Sequence, residues 1–301
     1  MHIVTNATKT SPHTGPPLHA WQAPPPARRN SPMEAATSSK KNSLLDALPE
    51  VTWERWQPLL ELVELPLGEA LSKSGNAMSH VYFPTTAIVS LHYVTEDGAS
   101  AEFAVVGNEG IVGIPSFLGG KSMLSLAVVS SAGEGLRLSA STLLSDFNQC
   151  GATTQLLLRY TQALITQVAQ IAVCNRHHAL DQQLCRLLLL NLDRQQGNEI
   201  VMTQELISNM LGVRREGVTE AAIKLQRLGL IRYARGHITV LDRIGIEERA
   251  CECYAVVKRE YARLLPTTLA VPRMPGLPLA QSPSNRIAID FTARVVGHAT
   301  A

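Results

Sequence analysis

In the stretch GVRREGVTEAA, Gly212–Ala222, two arginines and a glutamate follow a glycine and precede small, helix-compatible residues. Arginine can donate two parallel hydrogen bonds to guanine O6 and N7, and glutamate can accept from cytosine N4. Arg214, Arg215 and Glu216 are therefore equipped to read a G·C step in a major groove. That chemistry needs a helix whose N-terminal end is held over base edges. Other chemistries lack a comparable constellation. The sequence has no GxSxG, HExxH or GxxxxGK[ST] segment and no HxH pair of the kind that gathers a metal in a β-roll. No catalytic residue, metal ligand or cofactor is assigned, and the chain does not read as an enzyme.

The elements that would position this cluster lie on either side of it. Thr203 can cap a helix through its hydroxyl, Leu206, Ile207, Met210 and Leu211 give that helix an apolar face, and Gly212 supplies the turn that ends it. A second helix begins near Arg214 and buries Val218, Ala222, Leu225 and Leu228. Two helices joined by a short glycine-containing turn are a helix-turn-helix. After Gly229, LIRY and HITVL read as two strands around ARG, which adds a wing. Lys224, Arg232, Arg235 and His237 suit phosphate contact. Between Glu199 and Arg243 there are seven basic and five acidic residues, so position matters more than total charge.

Upstream, the hydrophobic period changes twice. Residues 43–63 show helical spacing interrupted by Pro49 and Pro58, which predicts two short helices. From Leu65 to about Leu143, short apolar runs such as HVYFP, AIVSLHYV, AEFAVV and LAVVSS alternate with SGN, EDG, GNEG and AGEG, the pattern of a β-sandwich or roll. EDG, Glu96–Gly98, is the best hairpin signal. Residues 151–178 then carry Leu157, Thr161, Leu164, Val168 and Ile171 at spacings of four and three, a coiled-coil stripe that predicts pairing with a second copy, with Asn175 able to fix register. Asp181–Arg194 is apolar on nearly all sides and reads as core. The expected organisation is a tail over 1–42, a roll over 43–150, a dimer helix over 151–178, a winged helix-turn-helix over 179–245, a further helix over 246–265 and a tail over 266–301. The fold class is α+β.

Composition narrows the classes further. Of 17 prolines in 301 residues, seven lie in 1–42 and five from Pro266 onward, so both ends read as unfolded; nothing before Met33 carries a folding signal, which makes Met33 an alternative start. A formal net charge of +2 excludes a protein that coats nucleic acid by bulk charge. No apolar run approaches the roughly 18 residues that span a bilayer, which places the chain in the cytoplasm and away from membranes. Five cysteines without a CxxC pair read as reduced thiols, and Cys251-x-Cys253 as a pair facing solvent that could respond to oxidant.

The order of roll, long helix and winged helix-turn-helix resembles the Crp/Fnr family of bacterial transcription regulators over about 43–243, most specifically at GVRREGV. The resemblance implies a cyclic-nucleotide-binding-like roll, a homodimer on near-palindromic double-stranded DNA, and RNA polymerase as a further partner. It puts base reading on Arg215 and Glu216 and backbone contacts on Thr203 and Gln204. Glu220 stands where the cyclic-AMP-responsive members carry another base-reading arginine, so their operator does not carry over.

The family's effector site does not carry over either. NEGIVGIPSFLGG keeps the loop glycines, but Ile114 replaces the ribose-binding glutamate, and KSMLSLAVV offers no arginine for a cyclic phosphate; Lys121 is a poor bidentate substitute. Glu109 reads as a solvated turn carboxylate. Residues 1–149 lack the clustered cysteines of the oxygen sensors, and His80 and His92 are weak candidates for a haem ligand. His177 and His178 read as a polar hinge between the long helix and the winged domain, in preference to a switch in which protonation biases domain orientation. The small-molecule effector is left unknown. The alternatives are a true cyclic-nucleotide-responsive regulator and a scaffold that uses the winged domain for protein contact.

Overall fold

The computed structural model describes residues 41–265, apart from 73–74, 97–99, 121 and 123–124. Both expected tails lie almost wholly outside these residues, as do Lys121 and two residues of the EDG turn. The exception at the N-terminal end is Asn42, which sequence placed in the tail and which is fully buried. Its amide donates to Pro84 O at 2.8 Å and Gly110 O at 3.0 Å, while its Oδ1 accepts from Leu44 N and Leu45 N. One side chain thus caps α1 (Ser43–Asp46) and staples it to two turns of the roll. Pro49 separates α1 from α2 (Glu50–Trp56), and Pro58 turns the chain through a 3-10 segment, Gln57–Leu59.

Seven strands follow: β1 (Glu61–Leu65), β2 (Ala70–Ser72), β3 (His80–Pro84), β4 (Ile88–Val94), β5 (Ser100–Val106), β6 (Leu126–Ser131) and β7 (Gly133–Ser139). They form two antiparallel sheets, ordered β1-β7-β3 and β2-β6-β4-β5. Trp56, Leu65, Val81, Phe83, Val106, Leu136 and Leu138 fill the space between them. The opposite face of β4 and β5 is apolar too, at Ile88 and Val105, because a second core packs on it.

After α3 (Ala140–Phe147), the long helix α4 spans Ala152–His177. Here the structure corrects the expected seam. Leu157, Leu164 and Ile171 are buried inside the chain, and Val168 is half-buried against the roll's core. The roll, together with a C-terminal helix, takes the face that spacing had reserved for a partner. The apolar residues that α4 leaves exposed are Leu158, Ile165 and Val173. Among the described residues no helix is long and apolar enough to cross a membrane.

The second core contains α5 (Leu180–Leu192), β8 (Glu199–Val201), α6 (Gln204–Leu211), α7 (Arg215–Arg227), β9 (Ile231–Ala234), β10 (His237–Val240) and α8 (Arg243–Arg249), followed by α9 (Glu252–Leu264). Helix α9, whose packing sequence left open, lies along α4. Tyr261 meets Tyr160 edge-on at 6.4 Å between ring centroids.

Candidate nucleic-acid interface

The helix-turn-helix is built by local signals. Thr203 Oγ1 accepts from Leu206 N at 3.1 Å and caps α6. Gly212 ends it in the left-handed region, φ +63°, where a Cβ would be strained. Val218, Ala221, Ala222 and Leu225 anchor α7 in the core. Leu228, expected among them, is the C-cap residue and is exposed, because the chain turns away at Gly229 before the side chain can reach the core. Arg214, Arg215 and Glu216 are all exposed at the N-terminal end of α7. Arg214 is its N-cap residue, and its guanidinium, which can only donate, cannot cap the helix's N–H groups.

The wing stands beside them. Arg235 and Gly236, at φ +51° and +83°, form the tight turn between β9 and β10, the combination of a type I′ hairpin. Sequence missed β8, which pairs with β10 and makes the wing three-stranded; three residues are too few to show a period. Arg232, Arg235 and His237 are exposed. Tyr233 Oη donates to Met202 O at 2.9 Å. Burial raises the Tyr233 pKa and the nearby Arg215 charge counters that rise, which places wing and helix end side by side.

Three residues chosen for phosphate contact have side-chain partners within the chain; Arg232 Nη2 donates to Thr239 Oγ1 across the wing at 3.4 Å. Gln204 Oε1 accepts from Thr219 Oγ1 at 2.9 Å, binding α6 to α7. Lys224 Nζ lies 2.6 Å from Asp181 Oδ2 of α5, and that hydrogen bond holds the Asp181 carboxyl below its usual range. Thr203 is spent on its cap but remains exposed.

The roll shows no cradle for a cyclic phosphate among the described residues. Ile114 opens a 3-10 turn, Ile114–Ser116, after Gly113 at φ +113°, and packs on the apolar core. A cavity of about 450 Å³ nearby is lined by Glu69, Ser72, Met78, His80 and Tyr82, with Arg137 beside His80 and Tyr82. Burial raises the Glu69 pKa, and its Oε2 has no hydrogen-bond partner among the described residues. His80 Nδ1 is 2.9 Å from Ser79 Oγ, and His92 is buried; burial lowers the pKa of both. Glu109 is not a solvated carboxylate. It lies 2.8 Å from Arg194 Nη2, both side chains nearly buried, because the turn faces the end of α5.

Residues 182–249 match the model of the Crp-like helix-turn-helix domain. The chain has the Crp/Fnr architecture. In fold it is similar to a putative Crp/Fnr-family transcriptional regulator from Eubacterium rectale, at 17% identity and TM-score 0.53, covering 70% of this chain and 98% of that one. FixK2 from Bradyrhizobium japonicum is similar at 16% identity and TM-score 0.54, covering 64% and 98%. TTHB099, a CRP-family transcriptional regulator from Thermus thermophilus, is similar at 20% identity and TM-score 0.52, covering 62% and 95%. No curated protein matches the sequence. Within this fold, Cys251 and Cys253 are buried rather than solvent-facing, and they meet Cys174 and His178 at the end of α4. Sequence could not group them, since Cys174 and Cys251 stand 77 residues apart.

Proposed function

We propose that this chain is a cytoplasmic, homodimeric transcription regulator that binds near-palindromic double-stranded DNA through α7. The observation that carries the reading is the exposure of Arg214, Arg215 and Glu216 at the free N-terminal end of a core-anchored helix, with the basic wing alongside. Arg215 and Glu216 are positioned to read bases, with Arg214 beside them. Arg232, Arg235, His237 and Thr203 contact phosphates, joined by Gln204 and Lys224 once DNA competes for their internal partners.

The dimer forms through the exposed side of α4. Leu158, Gln162, Ile165, Ala169, Ala172 and Arg176 follow spacings of four and three, with Val173 beside them, as a two-stranded helical seam requires. Two copies of α7 then fall about one DNA turn apart, roughly 34 Å. RNA polymerase is the further partner. Ile114 in place of the ribose-binding glutamate and the lack of an arginine in KSMLSLAVV support a regulator that does not answer to a cyclic nucleotide. Selection of bound duplexes from a random pool by ligand-free protein tests the reading. An enriched near-palindrome whose affinity falls steeply with salt is expected. A folded dimer that enriches no sequence, with or without cell extract, overturns it.

A further inference from the structure

We propose that Cys174, His178, Cys251 and Cys253 form a tetrahedral site for one soft divalent ion of the zinc class, joining the last turn of α4 to the start of α9. One ligand atom from each residue lies within 4.8 Å of every other. Cys174 Sγ and Cys251 Sγ are 3.4 Å apart, and Cys253 Sγ is 3.6 Å from His178 Nδ1. Zinc–sulfur bonds of about 2.3 Å at the tetrahedral angle put neighbouring ligand atoms about 3.8 Å apart. The four atoms already stand close to that spacing. The room between them suits one ion; an iron–sulfur cluster would hold its thiolates much farther apart.

The surroundings fit a built site. The three cysteines are buried as a group of their own, apart from both apolar cores, whereas the fourth buried cysteine, Cys185, packs among leucines. Cys174 and His178 are four residues apart and so share one face of the helix end. The His178 ring is oriented from its other side, with Nε2 3.3 Å from Glu252 Oε1, the outer carboxylate contact that fixes the tautomer of a metal-bound histidine.

Charge balance fits the site. An M²⁺ ion held by three thiolates and neutral His178 would leave a net charge of −1. Arg186 lies near Cys174 to face that charge, and its buried Nε and Nη1 have no hydrogen-bond partner among the described residues. His178 is also the C-cap residue of α4 and leads directly into α5, so the ion fixes the joint between the long helix and the Crp-like domain.

The test uses the full chain, reduced and stripped of metal, titrated with Co²⁺ and then Zn²⁺. One Co²⁺ per chain is expected, with thiolate-to-cobalt charge-transfer bands and the intense visible bands of a tetrahedral site. Zn²⁺ should displace it. Cys174→Ser and Cys253→Ser should lose the bands, Glu252→Gln should weaken binding about tenfold or more, and Cys150→Ser, at an exposed cysteine outside the group, should bind normally. X-ray absorption of the zinc-loaded wild type, expected to show three sulfurs and one nitrogen, keeps the test valid should the serine variants not fold. Absence of stoichiometric uptake by the reduced wild type overturns the proposal. So do bands that persist in both serine variants, or metal-free protein isolated under reducing conditions with a Cys174–Cys251 disulfide.

Discussion

Arg194, just past the end of α5, sets its Nη2 2.8 Å from Glu109 Oε1 of the roll and 3.1 Å from Gln167 Oε1 of α4. Nη1 donates to Leu190 O at 2.7 Å. Three parts of the chain thus meet on one nearly buried guanidinium. Burial works against its charge, and Glu109, Tyr261 and Asp193 together more than offset that effect. Removing one partner strands the other charge without water, so Glu109→Ala should cost about 3–5 kcal/mol in urea unfolding. Replacing both Glu109 and Arg194 by methionine should cost less than Glu109→Ala alone. Equal losses would mean that the pair contributes packing rather than charge compensation.

Glu102 on β5 gives a pH dependence. It lies opposite His92 on β4, and burial lifts its carboxyl to about 7, opposed by the nearby Ser90 hydroxyl and by Arg186 and Arg194. The raised folded value means that the native state holds this proton more tightly than the unfolded chain does. The associated stability is complete below the ordinary carboxylate range and is lost as pH rises through about 7. Glu102→Gln should flatten the urea midpoint between pH 5 and about 8, with the variant gaining relative to wild type at the alkaline end by no more than about 3 kcal/mol. A parallel pair of profiles would place the titration elsewhere.

The helix-turn-helix was legible because its signals are local: a threonine cap, a glycine stop, and apolar positions at helical spacing with arginines between them. The long helix was legible as a helix but not in its facing. Two stripes of α4 follow the same four-three spacing, through Leu157 and Leu164 and through Leu158 and Ile165, and which one is buried depends on where the roll and α9 pack. Glu109 and the Cys174 group were missed for the same reason, since their partners come from distant parts of the chain. β2 and β8, three residues each, lacked a local signal through shortness alone.

Gly110 tests how closely the roll rests on α4. A Cβ there would come within 2.6 Å of three atoms of the Tyr160 ring and hydroxyl, in backbone and side chain that have little freedom. Tyr160 is fully buried and donates to Ile111 O at 3.2 Å. Gly110→Ala should therefore destabilise by about 1–3 kcal/mol or more through overpacking. Glycine-to-alanine at Gly119, where nothing lies within 4 Å, should show only the strain of its positive φ. A neutral Gly110→Ala would show that α4 can move off the roll.

At the proposed DNA surface, two arginines should separate by what they lose. Arg215→Ala, at the start of α7, should cost about 1–3 kcal/mol on the selected duplex and relax sequence preference at one position. Arg232→Ala, on the wing, should weaken binding evenly across sequences and reduce the salt slope by about one. Both side chains are exposed, so thermal midpoints should stay within a small change of wild type. A uniform loss from Arg215→Ala would move that residue to the phosphates.

The two stripes of α4 make opposite predictions about association. Ile165 is 62% exposed within one chain and Leu164 only 3%. Ile165→Glu puts a charge at the centre of the proposed seam without disturbing the fold, so sedimentation should show monomer at concentrations where wild type is dimeric, with the monomer still folded. Leu164→Ala opens a cavity in the roll's core and should cost about 2–5 kcal/mol of stability, leaving the seam side chains intact. Were the buried stripe the true interface, α9 or the roll would have to release it first. Leu164→Ala would then dissociate the dimer and Ile165→Glu would leave it whole.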